Sequence, residues 1–172
     1  MSFIEHQNLR LRRLKLNDLQ NMIELESDDE VMRFTSLRKA ITAEESLKRL
    51  HNTIDQEGER APLGIWAIEF KESQEFVGWI MLLNRQYEHP ELGFMIAKRH
   101  WGKGLTATAA KGLVDYAFQK IGLVKIVAVT TQENFASKKV LLKVGFKQNG
   151  TVNNFDKVLN CETVLDYFEI TK

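Results

Sequence analysis

ELGFMIAKRHWGKGLTATAAKGLVDYAF, residues Glu91 to Phe118, reads as a strand that passes through a glycine-bearing turn into an amphipathic helix. The turn is Arg99-His100-Trp101-Gly102-Lys103-Gly104. A helix start leaves about four backbone N–H groups without intrahelical partners and carries a partial positive charge of about half a unit. Glycines just ahead of it let an anionic group approach bare backbone. The segment is therefore built to hold a phosphate.

Upstream, Leu63–Phe70 and Phe76–Leu83 read as two more strands. Short polar connections at 71–75 and 84–90 join them to Glu91–Ala97, which predicts an antiparallel meander. Downstream, Gly122 ends the helix Leu105–Lys120, and Val124–Thr131 is apolar on both faces, as a central strand is. Strand, helix and strand then make a βαβ unit with parallel strands and a right-handed crossover. Asn134–Lys143 reads as a second helix closed by Gly145, followed by strands near Phe146–Val152 and Thr163–Ile170. Toward the start, Leu9, Leu11, Leu14 and Leu16 alternate with basic residues like a half-buried strand. Asn17 is placed to cap a helix from Asp18, and Thr42 with Glu45 forms a capping box for a helix through Leu47, Leu50 and Ile54 that stops at Glu57-Gly58. The predicted order is β-α-α-β-β-β-α-β-α-β-β, an α/β chain with a mixed (α+β) sheet. The glycine turn falls at the carboxyl end of a central strand, where such sheets bind ligands.

A length of 172 residues suits one domain with a full core, so residues 1–172 are expected to form a single unit. A net charge of +1 gives no electrostatic signature of nucleic-acid binding. The basic residues Arg10, Arg12, Arg13 and Lys15 read as a solvated strand face. The single Cys161 rules out an internal disulfide framework and a cysteine-rich zinc site, and no metal is expected. The opening residues lack the apolar core of a signal peptide, and no apolar run approaches ~20 residues, so a cytoplasmic, membrane-free protein is the expectation. The sequence leaves a homodimer open.

Three kinds of phosphate site compete for the turn. A nucleoside-triphosphate loop needs an earlier glycine and a hydroxyl after its lysine, and Gly102-Lys103-Gly104 has neither. A dinucleotide fingerprint is formally met by Gly102, Gly104 and Ala107, but it should open the first βαβ unit and be followed by a strand ending in an acidic residue. Here three strands precede it, and Val124–Thr131 ends in two threonines. A tight turn with no ligand is the default for a lone glycine pair.

The remaining reading uses more of the chain. Arg99-x-x-Gly102-x-Gly104, with Thr106 and Ala107 on the helix, resembles the acyl-coenzyme A pyrophosphate loop of the GNAT superfamily of N-acetyltransferases. Asn134-x-x-Ser137-x-x-Val140-Leu141-x-Lys143-x-Gly145-Phe146 resembles its second cofactor segment. The wording of both is most similar to the ribosomal-protein alanine acetyltransferase (RimJ/RimL-like) branch, and the element order is similar to the GNAT fold across essentially the whole chain.

The resemblance implies acetyl-CoA as co-substrate and a primary amine as acceptor. Backbone N–H groups from Trp101 through Gly102, Lys103, Gly104, Leu105 and Thr106 to Ala107 would cradle the pyrophosphate. Arg99 and Lys103 would add charge, and Thr106 would offer a hydroxyl or cap the first turn. Trp101 reads equally as an apolar plug. The Glu91–Ala97 strand would carry a bulge and splay from its parallel neighbour. The pantetheine arm would pair there with backbone at Phe94, Met95 and Ile96, and an exposed N–H would polarise the thioester carbonyl, a contribution of roughly 3 kcal/mol in other enzymes. Asn134 would bond the pantetheine or serve as an N-cap. Many relatives place a tyrosine acid where this chain has Leu141, leaving Ser137 as its nearest replacement. A carboxylate matched to Asp156 would orient or deprotonate the amine through water, with Glu91 as the competing base. A free α-amine, with a pKa near ~8, needs less base than a lysine near ~10.4, so a protein N-terminus is the expected acceptor. A polyamine, amino acid or amino sugar is the alternative, as is a module that binds acyl-CoA without turnover. The acidic run from Asp18 to Glu30 reads as a solvated helix face or as an attractor for a cationic acceptor. Arg33–Ile41, Asn84–Pro90 and Asn153–Glu162 are expected to shape the acceptor pocket.

Overall fold

The computed structural model describes residues 4–172, and its strands form one mixed sheet. These are β1 (Ile4–His6), β2 (Leu9–Arg13), β3 (Gly64–Phe70), β4 (Phe76–Leu83), β5 (Glu91–Ile96), β6 (Lys125–Thr131), β7 (Lys147–Asp156) and β8 (Cys161–Thr171), in the spatial order β1-β2-β3-β4-β5-β6-β8-β7. The helices are α1 (Leu19–Glu26), α2 (Asp29–Met32), α3 (Ala43–Asp55), α4 (Glu57–Arg60), α5 (Leu105–Tyr116) and α6 (Phe135–Val144).

Strand alternation divides the apolar residues between two layers. On one face Leu11, Ile68, Ile80, Leu92 and Ile126 pack with Leu113 of α5 and Leu141 of α6. On the other, Leu14, Ala67 and Met95 pack with Met22 and Leu25 of α1 and Leu50 of α3. The β3-β4-β5 meander is antiparallel as expected, and β5 and β6 are parallel. Thr42 accepts from the Glu45 N–H while Glu45 accepts from the Thr42 N–H, so the capping box is present. Gly122 and Gly145 close their helices in left-handed conformations (φ 84° and 110°).

Several boundaries differ from the sequence reading. Ile4–His6 adds a strand that alternation alone did not mark, because three residues are too few to show a period. Leu16 leaves the strand for a 3-10 turn, Leu16–Asp18, and is 51% exposed. Asp18 rather than Asn17 organises the helix entry, accepting from the Lys15 N–H at 2.8 Å. The short helices α2 and α4 were not predicted, and α5 passes into a π turn at Ala117–Ile121 before Gly122. β7 and β8 run far enough to absorb most of the expected loop at 153–162.

Apart from the exposed Lys15, the basic stripe is not a solvated face. Arg12 is clamped between Asp18 (2.7 Å) and Glu69 (2.7 Å), which holds its guanidinium charged, and Arg13 stacks 4.3 Å over Trp66. The acidic run is likewise largely committed. Glu26 is buried against Ser46 (2.5 Å) and Arg49 (3.0 Å), Asp28 caps α2, and Asp29 accepts from the Ala40 N–H (2.9 Å). The bulge expected on β5 is also absent. β5 pairs with β4 in continuous register from Gly78–Ile96 to Leu83–Glu91, and the irregularity lies on β3 at Ile68/Glu69.

Candidate active site

The chain between β5 and α5 does what its glycines suggest. Gly102 and Gly104 take φ values of +74° and +75°, a region that side chains with a Cβ disfavour, and nothing lies within 4 Å of where a Cβ at Gly102 would stand. The Thr108 N–H closes the first turn on the Gly104 carbonyl at 3.1 Å, so the N–H groups of Leu105, Thr106 and Ala107 have no intrahelical partner. Open space in front of free N–H donors at a helix start fits a diphosphate.

The cations around that seat are not the expected pair. Arg99 is committed elsewhere. Its Nη2 donates to the Phe76 carbonyl (3.2 Å), with Glu24 at 3.6 Å and Glu75 at 3.7 Å. Lys103 stays on the turn. The second cation comes from the last turn of α6: Lys143 Nζ lies 3.8 Å from the Cβ position at Gly104. Lys143 was visible in the second motif but not assigned a role, because only the packing of α6 against α5 brings it to the turn. Trp101 is 44% exposed, and its indole Nε1 donates to the Ile96 carbonyl at 2.8 Å, pinning the turn to the end of β5.

The slot for an extended ligand follows from strand pairing. β5 meets β6 only at Glu91–Val127, next to the Val127 N–H bond to the Pro90 carbonyl (3.0 Å), and the strands part beyond it. The Ala97 N–H donates to the Val77 carbonyl, so in an antiparallel ladder the odd residues of β5 face β4. The backbone of Phe94 and Ile96 therefore turns toward the gap. Met95 spends its backbone on Trp79 and offers only its side chain to the cleft. With the Ile96 carbonyl taken by Trp101, the Phe94 N–H and C=O and the Ile96 N–H remain. Across the gap, Asn134 Oδ1 accepts from the Ser137 N–H at 3.1 Å, so Asn134 is an N-cap whose amide NH₂ is left to donate.

On the opposite sheet face a cleft of about 1050 Å³ opens between α1, α3 and the strand ends. Phe34–Ser36, Asn84–Gln86 and Asn154 with Asp156 line it, so all three unpatterned stretches contribute. Glu91, Phe94 and Met95 reach it too, while Ser137, Asn134 and the glycine turn do not line it.

The two carboxylates expected to compete as base have different surroundings. Burial holds the Glu91 carboxyl above the ordinary carboxylate range, partly offset by Arg85, whose Nη1 stands 3.5 Å from Oε1. Asp156 is held below its ordinary range by the Leu159 N–H first, then by Arg38 and the Val158 N–H. Those contacts are 3.0, 2.6 and 2.9 Å. Ser137 is half-buried at the start of α6, and Leu141 is a core residue with 1% exposure, so α6 presents no acid at that position. Among the described residues no group of three His, Cys, Asp or Glu is placed to hold a metal ion. No described helix is long and apolar enough to cross a membrane.

This layout, a phosphate turn after a meander and a gap between two parallel strands, coincides with what the sequence matches. Residues 8–147 match the Acetyltransferase (GNAT) domain family. The chain belongs to the GNAT acetyltransferases. It is 28% identical over 154 residues to YoaA of Bacillus subtilis (strain 168), an uncharacterized N-acetyltransferase, covering 88% of this chain and 86% of that one. It is 26% identical over 144 residues to the spermidine N(1)-acetyltransferase of Escherichia coli (strain K12), covering 83% and 75%. The fold is shared with RimL, a ribosomal L7/L12 α-N-protein acetyltransferase solved with coenzyme A, at a TM-score of 0.83 and 13% identity over 99% of this chain and 98% of that one. The GNAT chain described here is thus an N-acetyltransferase of a family that uses acetyl-CoA.

Proposed function

We propose that this enzyme, working as one unit over residues 1–172 in the cytoplasm, moves the acetyl group of acetyl-CoA directly onto the α-amine of a protein N-terminus. The observation that carries the acceptor reading is the state of the cleft carboxylates. Glu26, Asp156 and Glu91 each stand against an arginine, Arg49, Arg38 and Arg85. A spermidine-type polycation needs bare carboxylates, and the one cleft carboxylate without such a partner is the exposed Glu59. An α-amine needs only mild deprotonation, since its pKa is near ~8.

In this reading the N–H groups from Gly102 to Ala107 hold the cofactor diphosphate, since the Trp101 N–H expected to join them is spent on the Lys98 carbonyl (3.1 Å). Lys103 lies on the turn itself, Lys143 beside Gly104 and the Thr106 hydroxyl on the first turn of α5. The Phe94 and Ile96 backbone and the Asn134 amide grip the pantetheine in the gap between β5 and β6. A free N–H of β5 then polarises the thioester carbonyl as negative charge develops on its oxygen. Glu91 takes the proton from the attacking amine. Its raised pKa suits a base working near neutrality, whereas Asp156, stabilised as the anion, is a poor proton acceptor there. Asp156 becomes the anchor that fixes Arg38 and the turn after β7. Ser137, through water, is the proton source for the departing thiolate.

Thiol release from acetyl-CoA, measured with N-terminal peptides, spermidine, amino sugars and free amino acids, tests the reading. Turnover with peptide ends above the small amines is the expected result. A clear preference for spermidine would overturn it. Tight CoA binding without turnover on any acceptor would leave a binding module.

A further inference from the structure

The cleft is lined by four arginines, Arg38, Arg49, Arg60 and Arg85, contributed by three separate stretches of chain. Two of them are held in a particular way. Arg38 uses Nε on Asp156 (2.6 Å), and Arg49 uses Nε on Glu26 (3.0 Å). Neither guanidinium has another hydrogen bond among the described residues, so both terminal nitrogens of each are without a hydrogen-bond partner there. Asp156 and Glu26 are 8% and 1% exposed, and Glu26 is further fixed by Ser46. The carboxylates therefore serve as fixed backs for the guanidinium groups. Arg38 also sits at φ 54°, a left-handed conformation that a residue with a Cβ adopts only at a cost, and it does so where its side chain meets Asp156.

An arginine fixed through Nε with its terminal N–H fork free matches the planar, two-oxygen geometry of a carboxylate. Two such forks, with Arg85 at the Glu91 end and Arg60 on the α4 side, surround the space an acceptor must enter. The carboxylates that might have attracted a cation are spent behind them. We propose that this cleft selects an acceptor carrying a carboxylate near its amine. On the peptide reading above, on which this inference rests, that is an N-terminus with Asp or Glu among its first residues.

The wild-type enzyme with acetyl-CoA provides the test. Three peptides starting with serine are compared, one continuing with Asp and Glu, one with Asn and Gln, and one with Lys and Arg, alongside free glutamate and spermidine. The acidic peptide is expected to have a kcat/KM about tenfold above the neutral one, carried by KM, with the basic peptide lowest and the preference shrinking as salt rises. Arg49→Lys keeps a charge on Glu26 but removes the fork, and is expected to erase most of the preference while leaving CoA affinity unchanged. Equal rates for all three peptides would overturn the inference and leave the peptide reading standing. Free glutamate above every peptide would keep the carboxylate selection and overturn the peptide reading. Spermidine above all would overturn both.

Discussion

The donor side and the acceptor side of this enzyme are built in opposite ways. The donor side is mostly backbone: two left-handed glycines, the unpaired N–H groups at the start of α5, and the N–H and C=O groups that β5 exposes where it leaves β6. The acceptor side is made of long charged side chains from loops and from the helices α3 and α4, and two of them are held by partners distant in sequence, Arg38 by Asp156 and Arg49 by Glu26. A diphosphate and an amide-bearing arm are the same in every cycle, so fixed backbone can hold them. An acceptor defines one enzyme among relatives, and side chains on loops can change without disturbing the sheet.

Gly104→Glu is the most severe way to break the donor side. It forces a Cβ into a φ of +75° and places a carboxylate in the phosphate seat, beside Lys143. CoA affinity, measured by calorimetry, should fall by roughly 100-fold or more, because several charge-assisted bonds are lost together. A variant that bound CoA normally would move the cradle elsewhere.

Glu91→Gln tests the junction of the two sides and should come next in size. Turnover is expected to fall by about 10²–10⁴-fold with CoA affinity unchanged. The sign of the pH dependence follows from the role. A base must be ionised, so wild-type activity should drop as pH falls through the raised Glu91 pKa, and Gln should remove that limb. Arg85 lowers that pKa, so Arg85→Gln should move the acid limb to higher pH. Asp156→Asn should affect turnover less than Glu91→Gln, since Asp156 already carries its charge well below neutrality. A larger loss there than at Glu91 would reverse the two assignments.

The contrast also explains what could be read from sequence. The meander, the βαβ unit and both helix ends at glycine are local patterns, set by period and by residues such as Gly104, Gly122 and Gly145. The resemblance then supplied the cofactor. The roles of single charged side chains were not legible, because each depends on pairings across the fold. Arg99 stood in the right motif, yet Phe76, Glu24 and Glu75 hold it. Arg12 looked like solvent-facing strand and proved to be clamped between two acids. Nothing in the spacing of Arg38 and Asp156, 118 residues apart, marks them as a pair. The strand at Ile4–His6 was missed for the opposite reason: it is local, but too short to carry a period.

Lys143→Ala sharpens the donor side more gently. Losing one surface cation should weaken CoA several-fold, and the difference from wild type should narrow as salt rises, since an exposed charge is screened. An unchanged affinity at low salt would remove Lys143 from the site and return the second cation to Lys103 alone.

The smallest effect is expected at Thr42, and it asks whether the acceptor wall is stabilised independently of the donor side. Thr42 accepts the Glu45 N–H at the start of α3, the helix that carries Arg49. Thr42→Ala leaves that N–H without its side-chain partner and should cost about 1 kcal/mol. In a chain of this size that lowers Tm by about 2–4 °C. α3 packs against α1 on the sheet face opposite α5, so CoA affinity should not change, while KM for the acceptor should rise as the start of α3 frays and Arg49 loses its fixed position over Glu26. If Thr42→Ala weakened CoA and acceptor alike, the two sides would form one cooperative unit, and the separation between backbone-built and side-chain-built halves would not extend to their stability.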